Sequence, residues 1–311
     1  MKHKILTITP NPALDISGTV ELVKLDEKTY VHDETRTAGG NGINAARILH
    51  RLDVPVIASG FLGGSIGREV SHLLDAEGLK HRFVRVDEST RVNMTITSLR
   101  SHRQTRLSFA GPRIQEREID DLAKLLKMIK GCKMLVIGGS LPPRFGITNL
   151  MRIIHSAQDL SIPVVVDCPG EILKHLMSTK ILLIKPNLEE FHLLTGSRVQ
   201  SILEVKKRAV KLLKNISFVC VSSVQGGALL VTPNGCYYGQ SPKIKVKSTV
   251  GAGDSMVAAM CAQIAKGNHS GSEILRWGLA AAAATLSEKS GCLGRASVIA
   301  MLYKKTVVKV V

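Results

Sequence analysis

Apolar positions recur along this chain in more than one rhythm. In its second half, short continuous apolar runs alternate with stretches of helical spacing. Met134–Ile137, Val164–Asp167, Ile181–Lys185 and Phe218–Ser222 read as strands. Ile119–Ile129 and Ile147–Ala157 read as helices, as do the stretches on either side of Ile181–Lys185. Runs without polar alternation fit strands covered on both faces. Strands separated by helices predict βαβ units and a parallel sheet. Ile5–Thr9, stopped by Pro10, reads as a first core strand, followed later by a strand over Val54–Gly60 and a helix over Ser65–Ala76. A period-two rhythm covers Ile16–Leu25, Thr29–Thr35 and Val92–Ala110, the last folded as a hairpin around Ser101–Gln104. This is the pattern of exposed strands, and it predicts a small sheet outside the α/β core. Ala228–Val231 and Cys236–Gly239 read as a β meander, and Glu273–Ser287 and Ala296–Tyr303 as the last helices. No repeat and no interdomain linker interrupts residues 1–311, which predicts one α/β domain.

Polar residues fall at the ends of the predicted strands, where open parallel sheets bind ligands. Asp15, Ser140, Asp167, Lys185, Asn187 and Ser222 occupy such places. Two glycine clusters open helices. The first, Gly39-Gly40-Asn41-Gly42-Ile43-Asn44, lacks the dinucleotide spacing. The second, Ser248-Thr249-Val250-Gly251-Ala252-Gly253-Asp254, runs into Met256, Val257, Ala259, Met260 and Ile264, a buried helical face. A glycine turn at a helix N-terminus presents free N–H groups and partial positive charge, so it can hold an anion. Asp254 at its rim could act as a general base. The same residues also suit a plain tight turn with Asp254 as an N-cap, and spacing alone does not choose.

Composition narrows the class. The 311 residues carry a formal charge of +17, but the cations are spread along the chain. The absence of a concentrated basic face argues against nucleic acid, although strongly salt-dependent DNA affinity would restore that reading. No apolar run spans a membrane, and the N-terminal stretch has no signal-peptide pattern. Six scattered cysteines without a CxxC pair favour reduced thiols and a cytoplasmic protein.

Six stretches, in order, carry a family resemblance: TITPNPALDIS, GGNGINAARIL, TRVNMT, GGSLPP, KPNLEE and STVGAGDSMVAA. The chain resembles the PfkB (ribokinase-like) carbohydrate kinases, in the phosphofructokinase and tagatose-6-phosphate kinase branch, over essentially its whole length. The resemblance implies a three-layer α/β/α sandwich with a β-sheet lid over approximately 16–35 and 92–110. It implies ATP- and Mg²⁺-dependent phosphorylation of a sugar phosphate, and a homodimer joined through the lid.

Roles follow by match to the motifs. Asp254 corresponds to the catalytic base, and Gly251, Ala252 and Gly253 to the anion hole. Asp15, Gly39, Gly40, Asn41, Gly42 and Asn44 correspond to the sugar site, with Arg91 on the substrate's existing phosphate and Asn93 beside it. Ser140 lines that pocket, and Lys28 either reaches the phosphate across a dimer or is a solvated strand lysine. Lys185, Asn187, Ser222, Gly227 and Ser248 correspond to the nucleotide site, and Asn187 with Glu190 to the pair that organises Mg²⁺ through water.

Two positions depart from the pattern. Asn41 replaces the lysine of the common GGKGIN motif, which removes a cation near the substrate phosphate. Val224 occupies the first glycine of the usual SLGxxGA nucleotide loop, so either Gly226 takes over in a shifted turn or nucleotide binding changes. A kinase for an unphosphorylated sugar or nucleoside is the neighbouring reading. A non-catalytic nucleotide- or sugar-binding regulator would explain both departures, but the intact GAGD turn argues against it.

Overall fold

A computed structural model of the protein describes residues 4–24 and 26–311. Its backbone is a ten-stranded sheet flanked by helices, with a separate four-stranded sheet at one end of the strands. In chain order the elements begin β1 (Lys4–Thr9), β2 (Ala13–Val20), β3 (His32–Gly39), α1 (Asn41–Arg51), β4 (Val56–Gly63), α2 (Gly64–Ala76) and β5 (Val84–Val86). They continue with β6 (Arg91–Ser98), β7 (Gln104–Ser108), α3 (Glu116–Met128), β8 (Cys132–Gly138), α4 (Gly146–Asp159), β9 (Val164–Asp167), α5 (Gly170–His175) and β10 (Ile181–Ile184). The last are α6 (Leu188–Thr195), α7 (Ile202–Leu212), β11 (Ile216–Val224), β12 (Gly227–Thr232), β13 (Gly235–Gln240), α8 (Ala252–Ala265), α9 (Gly271–Leu286), α10 (Ala296–Lys305) and β14 (Val307–Val310).

The large sheet runs β14-β13-β12-β11-β10-β9-β8-β1-β4-β5. It is parallel from β5 to β11 and antiparallel from there to β14. Alternate strand residues feed two separate cores. Ile5, Met134 and Val136 join one cluster with α1, α2, α8, α9 and α10. Leu6, Leu135 and Ile137 join the other with α3 to α7. Both faces are covered, which is why these strands read as continuous apolar runs. The architecture is the expected three-layer sandwich.

Strand order reverses at β1, which lies between β8 and β4. The crevice outside the strand ends at such a switch point is where open α/β sheets bind ligands. Over this crevice sits the small sheet, ordered β3-β2-β6-β7. Its register sets Asp15 beside Asn93 and Ser108, and Ile16 beside Met94 and Leu107. The first set belongs to the inward face and the second to the outward one.

The boundaries correct several expectations. Lid strand β2 starts at Ala13 and ends at Val20, and β3 runs from His32 through Gly39. The first glycine cluster is therefore the end of a strand followed at once by a helix, with no loop between. Leu25, the predicted end of the first lid strand, lies outside the described residues. Strands β5, with only three residues, and β14, short and mostly exposed, have no counterpart in the apolar pattern. Their pairing comes from the sheet edges they extend.

Candidate active site

Helix α8 begins at a glycine held at φ 77°, Gly251, in the left-handed region where a Cβ is disfavoured. A Cβ there would also stand 2.6 Å from Leu293. The first intrahelical bond is Ser255 N–H to Gly251 C=O at 2.9 Å, so the N–H groups of Ala252, Gly253 and Asp254 precede the helix ladder. Ser255 and Thr285 share a buried hydroxyl contact of 2.7 Å that fixes this turn against α9.

Two cavities meet at this turn. One, of about 720 Å³, is lined by Asp15, Asn44, Arg91, Asn93, Ser140 and Asp254 among others. The second, of about 590 Å³, is lined by Ser222, Gly226, Gly227, Ala252, Leu279 and Leu286 among others. They share Lys185, Asn187, Thr249 and Gly253. A polar chamber and a partly apolar one thus open on the two sides of one glycine turn, with Asp254 on the polar side.

Within the polar chamber the side chains are held by one another. Asn44 Nδ2 donates to Asp254 Oδ2 at 2.8 Å, and Asn93 Nδ2 donates to Asp15 Oδ1 at 2.9 Å. Arg91 donates to the carbonyls of Phe109 and Asn11, both at 3.0 Å, and reaches Ser140 Oγ at 3.5 Å. Asn11 Oδ1, Arg91 Nε and Asn93 Oδ1 are buried without a hydrogen-bond partner among the described residues. Orphaned buried polar atoms cost about 1–3 kcal/mol each, so a ligand that engaged them would recover that free energy.

Electrostatics single out Asp254. Burial, seconded by the nearby Asp167 carboxylate, pushes it up to about 7, against the opposing pull of the Asn44 amide and Lys185. Burial also raises Asp15, opposed by its bond to Asn93 and by Arg91. Lys185 Nζ lies 3.4 Å from Asp167 Oδ1, and both are buried. Burial works against the Lys185 charge, but Asp167 and its acidic neighbours outweigh it and hold the ammonium above its ordinary value.

Asn187 and Glu190 cap each other at the start of α6. Glu190 N–H donates to Asn187 Oδ1, and Asn187 N–H donates to Glu190 Oε2, each at 2.9 Å. Burial raises the Glu190 carboxyl despite that bond.

The nucleotide-loop departure resolves at Val224. Val224 is buried in β11 with ordinary extended backbone. The left-handed positions fall instead on Ser223 (φ 62°), Gln225 (φ 45°) and Gly226 (φ 76°). The two non-glycine residues are strained by about 1–2 kcal/mol each. A brace holds them: the Gln225 carbonyl accepts from Tyr238 Oη at 2.9 Å and Gln240 Nε2 at 3.1 Å.

A family model described as "pfkB family carbohydrate kinase" matches residues 11–296. The chain belongs to that family. Among solved structures, phosphofructokinase-2 from Escherichia coli in complex with substrates and products is 31% identical, with a TM-score of 0.92 over 97% of this chain and 99% of that one. The tetrameric inhibited form of the same enzyme gives 31% identity and a TM-score of 0.89, over 98% of this chain and 99% of the other. A "possible 1-phosphofructokinase" of Thermotoga maritima is 26% identical, with a TM-score of 0.90 over 99% of this chain and all of the other. As a carbohydrate kinase of this family the protein is a phosphotransferase with an alcohol group as acceptor.

Not every expected site residue reaches the cavities. Lys28 is exposed, with its ammonium 5.3 Å from the centre of the Tyr30 ring, and lines neither chamber. Ser248 is buried and accepts a hydrogen bond from Val250 N–H at 3.3 Å; its neighbour Thr249 faces both chambers instead. Gly39 and Gly42 line neither. Their role is steric: a Cβ on Gly39 would stand 2.0 Å from Asp15 Oδ2, and one on Gly42 would stand 2.6 Å from Thr9 Oγ1. Asn41, in place of the family lysine, does line the polar chamber.

Asn11, inside a quoted marker, lies behind the chamber and holds Arg91 through its carbonyl. Among the lining residues that escape a reading by motif roles, Asp167 had a signal, its place at a strand end. Arg106 had none, being one arginine on a hairpin strand. It donates to Thr249 Oγ1 at 2.9 Å and so ties the lid to the loop before the glycine turn.

Proposed function

We propose that this kinase transfers the terminal phosphoryl group of ATP to a hydroxyl of a ketohexose phosphate, giving a bisphosphate. One observation carries the reading: Arg91, with its unpartnered Nε–H, lines the same polar chamber as the poised base Asp254. An arginine fork suits phosphate oxygens, and Asp15 and Asn93 suit sugar hydroxyls. Fructose 6-phosphate, fructose 1-phosphate and tagatose 6-phosphate are the candidates.

Asp254 takes the proton of the attacking hydroxyl. Its pKa, raised close to neutrality, suits a base that works near pH 7. The N–H groups of Ala252 and Gly253 face the charge that builds on the transferring group, where fixed donors act most strongly. The nucleotide base lies against the apolar wall formed by Met256, Leu279, Ala282 and Leu286. Lys185, shared by both chambers, neutralises the phosphates between them.

The donor set fits Mg²⁺ held through water. Among the described residues there is no group of three or more His, Cys, Asp or Glu side chains able to cage a metal. Mg²⁺ keeps most of its waters and takes few protein ligands, so Asn187 and Glu190 would hold it at that distance. When bound it supplies charge neutralisation at the nucleotide phosphates.

We also propose a homodimer through the lid. Met94 (37% exposed), Leu107 (51%) and Phe109 (56%), with the neighbouring Tyr30 (68%) and Val31 (46%), form an apolar patch on the lid. Such a patch favours a partner over solvent. A two-fold contact would carry Lys28 toward the other protomer's chamber. A monomeric mass in light scattering at micromolar concentration, with full activity, would refute the dimer. Six free cysteines suit a reducing compartment, and the cytoplasm is the proposed location.

The substrate class is tested by ADP release over a panel of sugars and sugar phosphates, in wild type and Arg91→Ala. Loss of a charge-assisted pair costs about 2–3 kcal/mol, or roughly 30- to 150-fold in kcat/KM. That loss is expected for the hexose phosphate, with the KM for ATP unchanged. An unphosphorylated sugar turned over equally well by both proteins would instead favour the neighbouring reading.

A further inference from the structure

A second cleft, with a volume of about 440 Å³, lies on the other side of the junction where the chain passes from β5 into the lid strand β6. It shares no lining residue with either chamber of the candidate active site. Its walls are one face of α2 from Gly64 to Asp75, the end of β4, and the edge strand β5 with the segment that leads into it. They bring together four basic side chains, Arg68, His72, His81 and Arg85, around the half-buried ring of Phe83.

Charge balance favours an anion in this cleft. Its single carboxylate, Asp75, is bound to His81 Nε2 at 3.0 Å. The carboxylates on the flanking segments are engaged elsewhere: Glu69 with Arg36, Glu77 with Arg47, Asp87 with Arg117 and Glu88 with Arg113. Arg68 and Arg85 have neither an ion pair nor a hydrogen bond among the described residues. Here two guanidinium groups line one concavity with every nearby acid already taken.

The cleft also abuts the junction with the lid. Gly63 N–H donates to Thr90 Oγ1 at 2.9 Å, and Thr90 N–H donates to Gly63 C=O at 3.0 Å. Gly63 lines the cleft, and the residue after Thr90 is Arg91. A Cβ on Gly64 would stand 2.8 Å from Ser89 Oγ, so the two segments pack without slack.

We propose that this cleft binds a small di- or polyphosphate anion, and that its occupancy is felt at Arg91 through the Gly63–Thr90 pair. Two arginines in one concavity match paired phosphate groups better than a single carboxylate. The effect on the sugar-phosphate KM rests on the reading of Arg91 given above; the binding does not.

Inorganic pyrophosphate is the probe, titrated calorimetrically into the whole protein at fixed ionic strength. Binding is expected to weaken at least tenfold in Arg68→Ala/Arg85→Thr. It is expected to persist in Arg91→Ala, which excludes the sugar-phosphate subsite, and its loss in the cleft variant, where Lys185 and the Gly251 turn are untouched, excludes the nucleotide phosphates' place. Lys207→Ala/Lys211→Ala removes the same charge from the exposed face of α7 and is expected to bind as wild type does. No pyrophosphate binding, or equal weakening in the lysine variant, overturns the site. At fixed free Mg²⁺, pyrophosphate is expected to shift the KM for hexose phosphate at least threefold in wild type and not in the cleft variant. Binding without that shift overturns the coupling. Thermal melts confirm that the cleft variant is folded, and Arg68→Lys, which keeps the charge, is expected to retain most of the binding.

Discussion

The two chambers that meet at the Gly251 turn are built in opposite ways. The polar chamber is a network of side chains from distant parts of the chain: Asn44 on Asp254, Asn93 on Asp15, Arg91 on Asn11. Each contact fixes a rotamer, and the few unsatisfied atoms point to a particular ligand. The other chamber combines glycine backbone and short polar side chains with an apolar wall of Met256, Leu279, Ala282 and Leu286, beside a strained turn braced from outside by Tyr238 and Gln240. A ligand there meets shape and amide dipoles more than a fixed side-chain pattern. Under the proposed function, discrimination is invested in the chamber proposed for the sugar, whereas the one proposed for the nucleotide should tolerate departures such as Val224. Substitutions in the two chambers should differ accordingly in size and in which substrate they affect.

The largest effect belongs to Asp254, where the chambers meet. Asp254→Asn is expected to lower kcat by roughly 10²- to 10⁴-fold with both substrates still bound, the range for loss of a general base. Stopped-flow rates and calorimetric binding check this together; near-normal turnover would remove Asp254 from the mechanism. In wild type, the acid limb of kcat/KM is expected near pH 7, and it should vanish in the variant. Stability should move the other way. A carboxyl raised from 3.8 to about 7 holds a proton in the native state that the unfolded chain releases, so its contribution falls as pH rises between those values. Above pH 7 that cost is fully present, and Asn removes it. Asp254→Asn should gain on the order of 1–4 kcal/mol in a urea titration at pH 8 and nothing at pH 3.5.

A smaller effect is expected from Gly39→Ala. Gly39 is not among the residues of positive φ, so its backbone accepts alanine. The new methyl would meet the Asp15 carboxylate and push it off Asn93. A fall of about 10- to 100-fold in kcat/KM for the sugar substrate, equal to roughly 1.4–2.7 kcal/mol, should leave the KM for ATP untouched. Equal losses for both substrates would show that the two chambers are not separable in this way.

The smallest effect tests the nucleotide side. Gln240→Ala removes one donor to the Gln225 carbonyl and leaves Tyr238. One hydrogen bond of about 0.5–1 kcal/mol corresponds to a two- to fivefold rise in the KM for ATP, with sugar kinetics unchanged. A loss as large as that of Gly39→Ala would overturn the contrast drawn between the chambers.

Much of this was legible in the chain because it is local. Continuous apolar runs disclose a doubly covered sheet, and period-two strands disclose the lid, since successive side chains on a strand point to opposite faces. Glycine turns and polar residues at strand ends mark the ligand crevice, because only those places combine backbone access with freedom from the core. The motif order then identified the family, and through it the roles proposed for Asp254, Arg91 and Asp15. Ser248 and Gly42 lie in motifs but line neither cavity. A residue can be held within a motif by what it packs against rather than by what it presents.

Other features depend on contacts between residues far apart in sequence, and these only the tertiary structure decided. Arg106 closes on Thr249 across 143 positions, and Asn44 on Asp254 across 210, with no local periodicity to announce either pair. The raised pKa of Asp254 comes from burial and from Asp167, a neighbour in space alone. Whether Val224 harms the nucleotide turn depended on which flanking residues could take the left-handed conformation and on the two side chains of β13 that hold them there. The sequence by itself determined which elements form and which residues carry chemistry, because those follow from periodicity and residue type. It could not determine which groups touch, since that depends on how the strands are ordered around β1 and how the lid closes over them.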